Sequence, residues 1–162
     1  MSKNKWALVV LNLILVLALV NYSIYKKEKQ LKEGKLILLA LAPVDPRSLM
    51  QGDYLRLRYA IANNPNMSEY FDKRGYCVIR CDSANVGNLV RYQKELEPKQ
   101  AGEYFIPYTV SYNTISIGAD SYFFEEGTAT KYAHAKYGGL RVDEKGNCLL
   151  VGLYSEKGEL IE

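Results

Sequence analysis

From Trp6 to Tyr25 the chain runs for 20 residues without a formal charge (WALVVLNLILVLALVNYSIY), and no other feature restricts its fold more. As a helix rising 1.5 Å per residue, such a run spans ~30 Å, the hydrocarbon thickness of a bilayer. Asn12 and the Asn21-Tyr22-Ser23 end are its only polar interruptions. Trp6 at one border, and Tyr22 and Tyr25 at the other, fall where interfacial aromatics are found. A core helix is the alternative, but a single domain built from the remaining ~130 residues rarely hides 20 consecutive residues on all sides. The expectation is a membrane helix over residues 6–25, with the lipid bilayer as its partner.

A secretory cleavage site needs small residues at alternate positions just after the apolar run. The run ends in Val20-Asn21-Tyr22-Ser23-Ile24-Tyr25 and then Lys26-Lys27, which offers no such pattern. Ala40-Leu41-Ala42 fits in letters but comes 15 residues too late. The run therefore reads as an uncleaved, single-pass signal anchor. Its flanks nearly balance: Lys3, Lys5 and the α-amino group precede it, and Lys26, Lys27, Lys29 and Lys32 follow. A literal count leans toward a cytoplasmic domain by one charge. A short tail charged close to the apolar run instead matches a signal sequence that inserts tail-inside. The expected arrangement divides the chain into an anchor (1–25), a charged stalk (26–34) and a β-rich domain (35–162) outside the cytoplasmic membrane.

The net charge of +3 is misleading until it is divided. Residues 1–29 hold five Lys against Glu28, which leaves 16 basic and 17 acidic residues from position 30 onward. A nearly neutral body without a basic stripe argues against nucleic acid as a partner. With one His and no metal-ligand cluster, the chain calls for no metal and no cofactor. Three Cys cannot all pair within the chain, and Cys77 and Cys81, four apart on one strand, stand ~13 Å apart, too far to bridge. No disulfide framework is implied.

Leu36–Ala42 is a short apolar run with the character of a buried strand. Pro43-Val44-Asp45-Pro46-Arg47 is a stiff turn, because each Pro fixes φ and extends the residue before it. Gly52-Asp53 marks a second turn, and Asn63-Asn64-Pro65-Asn66 a loop. Between them Leu55, Leu57 and Tyr59 alternate with Tyr54, Arg56 and Arg58, the period of a strand with one buried face. Further strands are expected at 76–81, 87–92, 104–112, 114–117, 140–142 and 148–154, with Pro107 at an edge or bulge. Thr128–Tyr137 (TATKYAHAKY) reads as the one helix outside the membrane, capped by Thr128 and ended by Gly138. The fold class is mainly β: one antiparallel-β domain with a single short helix behind a transmembrane helix.

Candidate chemistry is sparse. Asp45, Arg47, Ser48 and Asp53 crowd into nine positions and suggest a polar site at the mouth of a sheet. Local turn bonding by Asp45 and Asp53, with Gly52 supplying φ > 0, accounts for the same residues structurally. A serine-hydrolase reading of Ser48 lacks its base, since the first Lys downstream is Lys73. His134 has no carboxylate three or four residues away, and Glu125 and Glu126, as strand neighbours, point to opposite faces. No catalytic residue is assigned. Twelve Tyr between positions 54 and 154 suit half-buried pleated positions.

Gly52-Asp53-Tyr54-Leu55-Arg56-Leu57-Arg58-Tyr59 resembles the motif that names the GDYXXLXY family of bacterial membrane-anchored proteins. Val44-Asp45-Pro46-Arg47 is similar to the turn preceding that motif. Ile117-Gly118 and Tyr122-Phe123-Phe124-Glu125-Glu126-Gly127 resemble the family's aromatic-acidic segment. The resemblance implies a membrane segment and a compact domain on the outer side of the cytoplasmic membrane, with some members beside polytopic membrane proteins. It supplies no reaction and no cofactor. The favoured function is a membrane-anchored accessory or interaction module acting with a membrane protein partner. Its ligand-or-partner motif is Asp45, Arg47, Gly52, Asp53, Tyr54, Leu57 and Tyr59. The alternative is an anchored enzyme or small-ligand binder using the Asp45/Arg47/Asp53 turn.

Overall fold

The computed structural model describes residues 3–42, 54–62, 72–111 and 114–162. The turns expected at Pro43–Arg47 and Gly52-Asp53, and the Asn63–Asn66 loop, lie outside them. The chain divides into two compact units, Met1–Glu33 and Gly34–Glu162.

The first unit is one helix, α1 (Lys3–Glu33). Every residue from Lys5 to Lys29 is exposed. It is long and apolar enough to cross a membrane. The Asn21 amide, a polar group within the apolar stretch, donates back to the Leu17 carbonyl at 2.8 Å. The charged residues 26–33 continue the helix, helped by Lys29–Glu33 and Lys32–Glu28 pairs at 3.7 and 4.0 Å. Such exposed pairs add little.

The second unit is mainly antiparallel β. Its elements in chain order are β1 (Lys35–Ala40), β2 (Tyr54–Arg56), β3 (Arg74–Cys81), β4 (Gly87–Gln93), β5 (Glu103–Ser111), β6 (Thr114–Ser116) and β7 (Ser121–Phe123). The short helix α2 (Ala129–Tyr132), β8 (Tyr137–Val142) and β9 (Cys148–Tyr154) complete it. The strands form three sheets, ordered β1-β8-β9, β2-β7 and β4-β3-β5-β6. A parallel bridge between Leu38 and Val86 ties the first sheet to the end of the β3–β4 hairpin.

Ile37, Leu39, Leu140 and Leu153 of the first sheet share one core with Cys77, Ile79, Ile106 and Tyr108 of the third. Leu55, Leu57 and Tyr59 enter the same core. Gly87 stands where these sheets meet, and a Cβ there would sit within 2.9 Å of Ile37, Leu39 and Ile79 side chains. β1 is an unbroken apolar run because its other face is covered too: Leu38 is buried beside Gly158 of the C-terminal turn.

Pro107 sits on β5 opposite Tyr76, beyond the stretch where β6 pairs, Thr109 to Ser111. Val110 donates to the Lys73 carbonyl, just before β3, so by alternation position 107 turns away from β3, toward the side that β6 does not reach. A residue without an N–H fits that edge. All three Cys are free thiols.

Two expectations are corrected. The helix expected over Thr128–Tyr137 covers only Ala129–Tyr132, and the Thr128 hydroxyl donates to the Glu125 carbonyl instead of capping it. Tyr137 and Gly138 belong to β8, where they pair with Ala40 and Leu39 on one side and Tyr154 and Leu153 on the other. Two ladders outweigh one more helical turn. The aromatic Tyr122-Phe123 pair, expected only as a cluster, lies in β7 and pairs with Leu55 and Tyr54.

Candidate functional site

The motif strand keeps its alternation: Leu55, Leu57 and Tyr59 are buried, and Tyr54, Arg56 and Arg58 are exposed. Its backbone partners change along its length. Tyr54–Arg56 pairs with β7, the Leu57 N–H donates to the Asp120 carbonyl at 2.8 Å, and Tyr59 bridges Leu41. Ladder pairing thus ends at Arg56, although the burial pattern continues to Tyr59.

Tyr59 is a strut. It is 2% exposed, and its hydroxyl donates to the Ala119 carbonyl at 2.8 Å. Its ring lies against Gly138, where a Cβ would come within 2.9 Å of a ring carbon. Burial pushes the phenol well above its ordinary range, with Asp120 and Cys148 adding to the shift. At neutral pH it is a fixed hydrogen-bond donor. Ala119 follows Gly118, whose φ of 73° is the left-handed conformation that turns the chain there. The Ser116 hydroxyl bonds the Asp120 carboxylate across the same turn.

The outward face of β2–β7 is different. The Tyr54 and Phe123 rings pack at 5.7 Å between centroids, tilted by 41°, yet remain 41% and 74% exposed. Behind them Tyr122 and Phe124 pack on Tyr132 of α2 at 5.2 and 5.4 Å.

Beside the motif strand opens a cleft of about 660 Å³. Backbone hydrogen bonds set out its floor as adjacent segments. The Ala42 N–H donates to Arg58, the Leu41 N–H to Lys136, and the Lys136 N–H to Tyr154, at 2.8, 2.8 and 2.9 Å. The order across it is therefore 56–58, 41–42, 134–136, then 154–157. Arg56, Arg58, His134, Lys136, Glu156 and Lys157 are among its charged or titratable lining residues.

Of the seven residues expected in the ligand-or-partner motif, Asp45, Arg47, Gly52 and Asp53 lie outside the described residues. Ala42 and Leu55, on either side of that segment, both line the cleft. Tyr54 is at the surface, whereas Leu57 and Tyr59 are core residues. Glu125 and Glu126 are both exposed.

Sequence reasoning missed a buried charge. Glu103 opens β5 and is 1% exposed; Arg91 of β4 grips it with two bonds of 2.6 and 2.9 Å. The Gln100 N–H donates to the same carboxylate at 3.0 Å, and Arg80 approaches at 3.5 Å. Arg91 also donates to the Pro98 carbonyl at 3.0 Å, so the cluster holds the 94–102 loop over the outer face of the four-stranded sheet. The Arg91 bonds, chiefly, hold the Glu103 carboxyl down at about 2, and the pair raises Arg91. Alternation carried the signal: Glu103 shares a strand face with Phe105, which is also buried.

Fold and site define a class: a mainly antiparallel β domain, bearing an open cleft, behind an N-terminal helix able to span a membrane. Within that class the chain belongs to the GDYXXLXY family, whose model, described as GDYXXLXY protein, matches residues 16–153. No curated protein and no solved structure matches it.

Proposed function

We propose that this protein is a membrane-anchored accessory module whose domain lies outside the cytoplasmic membrane and docks on an integral membrane protein. The observation that carries this reading is the exposed Tyr54–Phe123 pair on the outward face of β2–β7. At 74%, Phe123 is the most exposed large apolar side chain of the domain among the described residues. Exposed aromatic anchors with a neighbouring Arg, here Arg56, are the composition of protein interfaces. Residues 26–33 continue α1 for only ~12 Å past the apolar run, which keeps the start of the domain near the bilayer. A partner in the same membrane is then within reach.

A photoreactive residue placed at Phe123 in native membranes tests this reading. The expected result is a discrete adduct with one integral membrane protein, lost when Tyr54 is also replaced by Ser. The absence of an adduct at position 123, with normal membrane levels of the chain, would overturn it. Sidedness is checked by fusing to Glu162 a reporter active only outside the cytoplasm, which should be active.

A further inference from the structure

The cleft is lined by several basic residues. From position 30 onward the chain is nearly neutral, yet Arg56, Arg58, Lys136 and Lys157 all line this one cavity. None of the four forms an ion pair among the described residues. The two carboxylates of the lining, Glu156 and Glu159, both come from the Ser155–Glu159 turn, at the far end of the floor from the motif strand. Among the described lining residues, the charged groups at the Arg56 and Arg58 end are therefore all cationic.

The spacing suits a tetrahedral oxyanion. Arg56 ends β2 and Arg58 lies two residues on, both exposed on the outward side of the alternating segment and ~7 Å apart along an extended backbone. The Lys136 and Arg58 carbonyls accept from Leu41 and Ala42, just past β1, on its two sides, and so their backbones stand two inter-strand spacings apart, ~10 Å. Arg and Lys side chains are long enough to reach one group across such a gap, and both residues line the cleft. Planar guanidinium forks match phosphate oxygens in pairs, and a Lys ammonium adds a point charge.

We propose that the cleft binds a phosphate group, held by Arg56 and Arg58 from the motif strand and by Lys136 from across β1. The cavity volume of about 660 Å³ leaves room for the ester to which the phosphate belongs. The group has two possible sources, a soluble phosphate ester or a phospholipid headgroup, with the same chemistry at the cleft. This binding uses neither Tyr54 nor Phe123, and of the groups named for the docking face it shares only Arg56.

The test uses the full chain in phosphatidylcholine nanodiscs and follows the arginine side-chain Nε–H resonances. In one arm inorganic phosphate is titrated; in the other, phosphatidylglycerol is added to the bilayer. A saturable shift in the first arm supports the proposal with a soluble source, and a shift confined to the second supports it with a lipid source. The double variant Arg56→Gln/Arg58→Gln is expected to weaken either response at least about tenfold. Lys136→Gln, followed through the same Arg resonances, serves if the double variant does not fold. Lys94→Gln, outside the cleft, should leave the response unchanged. No saturable shift in either arm, or an equal response in the cleft variants, would overturn the proposal.

Discussion

Tyr59 and Glu103 are both polar groups taken out of water, one on each side of the sheet system, and they are held in opposite ways. Tyr59 stands in the shared core with a single bond to the Ala119 carbonyl, and its phenol stays neutral. Glu103 lies on the outer face of the four-stranded sheet, charged, and gripped by Arg91 and the Gln100 N–H with Arg80 close by. A neutral hydroxyl needs one partner to be satisfied, whereas a buried carboxylate needs counter-charge and several donors. The Glu103 cover is also thin, since Arg91 itself is 32% exposed. The core strut is therefore set by packing, and the outer clamp by electrostatics.

The sharpest way to break this contrast is to empty the core side. Tyr59→Ala should destabilise the protein by ~3–5 kcal/mol, and Leu57→Ala by ~2–5 kcal/mol, in denaturant melts of the detergent-solubilised chain. A cost below ~1 kcal/mol for Tyr59→Ala would show that the ring is not a strut. Next in size is overfilling. Gly138→Ala places a methyl within 2.9 Å of the Tyr59 ring and should cost ~1–3 kcal/mol. The double variant Gly138→Ala/Tyr59→Ala should cost less than the sum of its parts, because the clash is gone.

Acid sharpens the outer side. The Glu103 carboxyl falls from 4.5 to about 2 on folding, so the native state binds fewer protons than the unfolded chain between those values. Its contribution is complete above pH 4.5 and is lost as pH falls toward about 2. Glu103→Gln should therefore flatten the stability profile in that window relative to wild type, as read by melts at several pH values. An unchanged slope would mean that the clamp does not discriminate the charged form. The smallest effect is expected at the motif's outward face, where Arg56→Ala should stay within ~0.5 kcal/mol in the same melts. A larger loss would make Arg56 part of the framework and weaken its assignment to the phosphate cleft.

What was legible in the sequence followed from local periodicity. The apolar helix, the alternation from Tyr54 to Tyr59, the strand order along the chain and the edge position of Pro107 each depend on residues within one element. Hydrophobic period and the geometry of Pro act over a few residues, so one segment suffices to show them. The pairing end at Arg56 was not legible, because it depends on where β7 begins, more than 60 residues later. The fate of Tyr137 was likewise decided at a distance, by β1 and β9 on either side of it.

The sequence by itself determined that the chain carries a membrane-length helix, that a β-rich domain follows it, and which face of the motif strand is apolar. Only the tertiary structure decided that Tyr59 props Gly138, that Glu103 is buried against Arg91, and that Arg56, Arg58 and Lys136 line one cleft. Apolar burial is written into each element because every large side chain seeks the same interior. Charges instead find their partners through register and crossover, and those pairings join positions far apart in the chain. Arg58 and Lys136 lie on either side of the chain just past β1, a relation set by the Leu41 and Ala42 hydrogen bonds and by no local pattern.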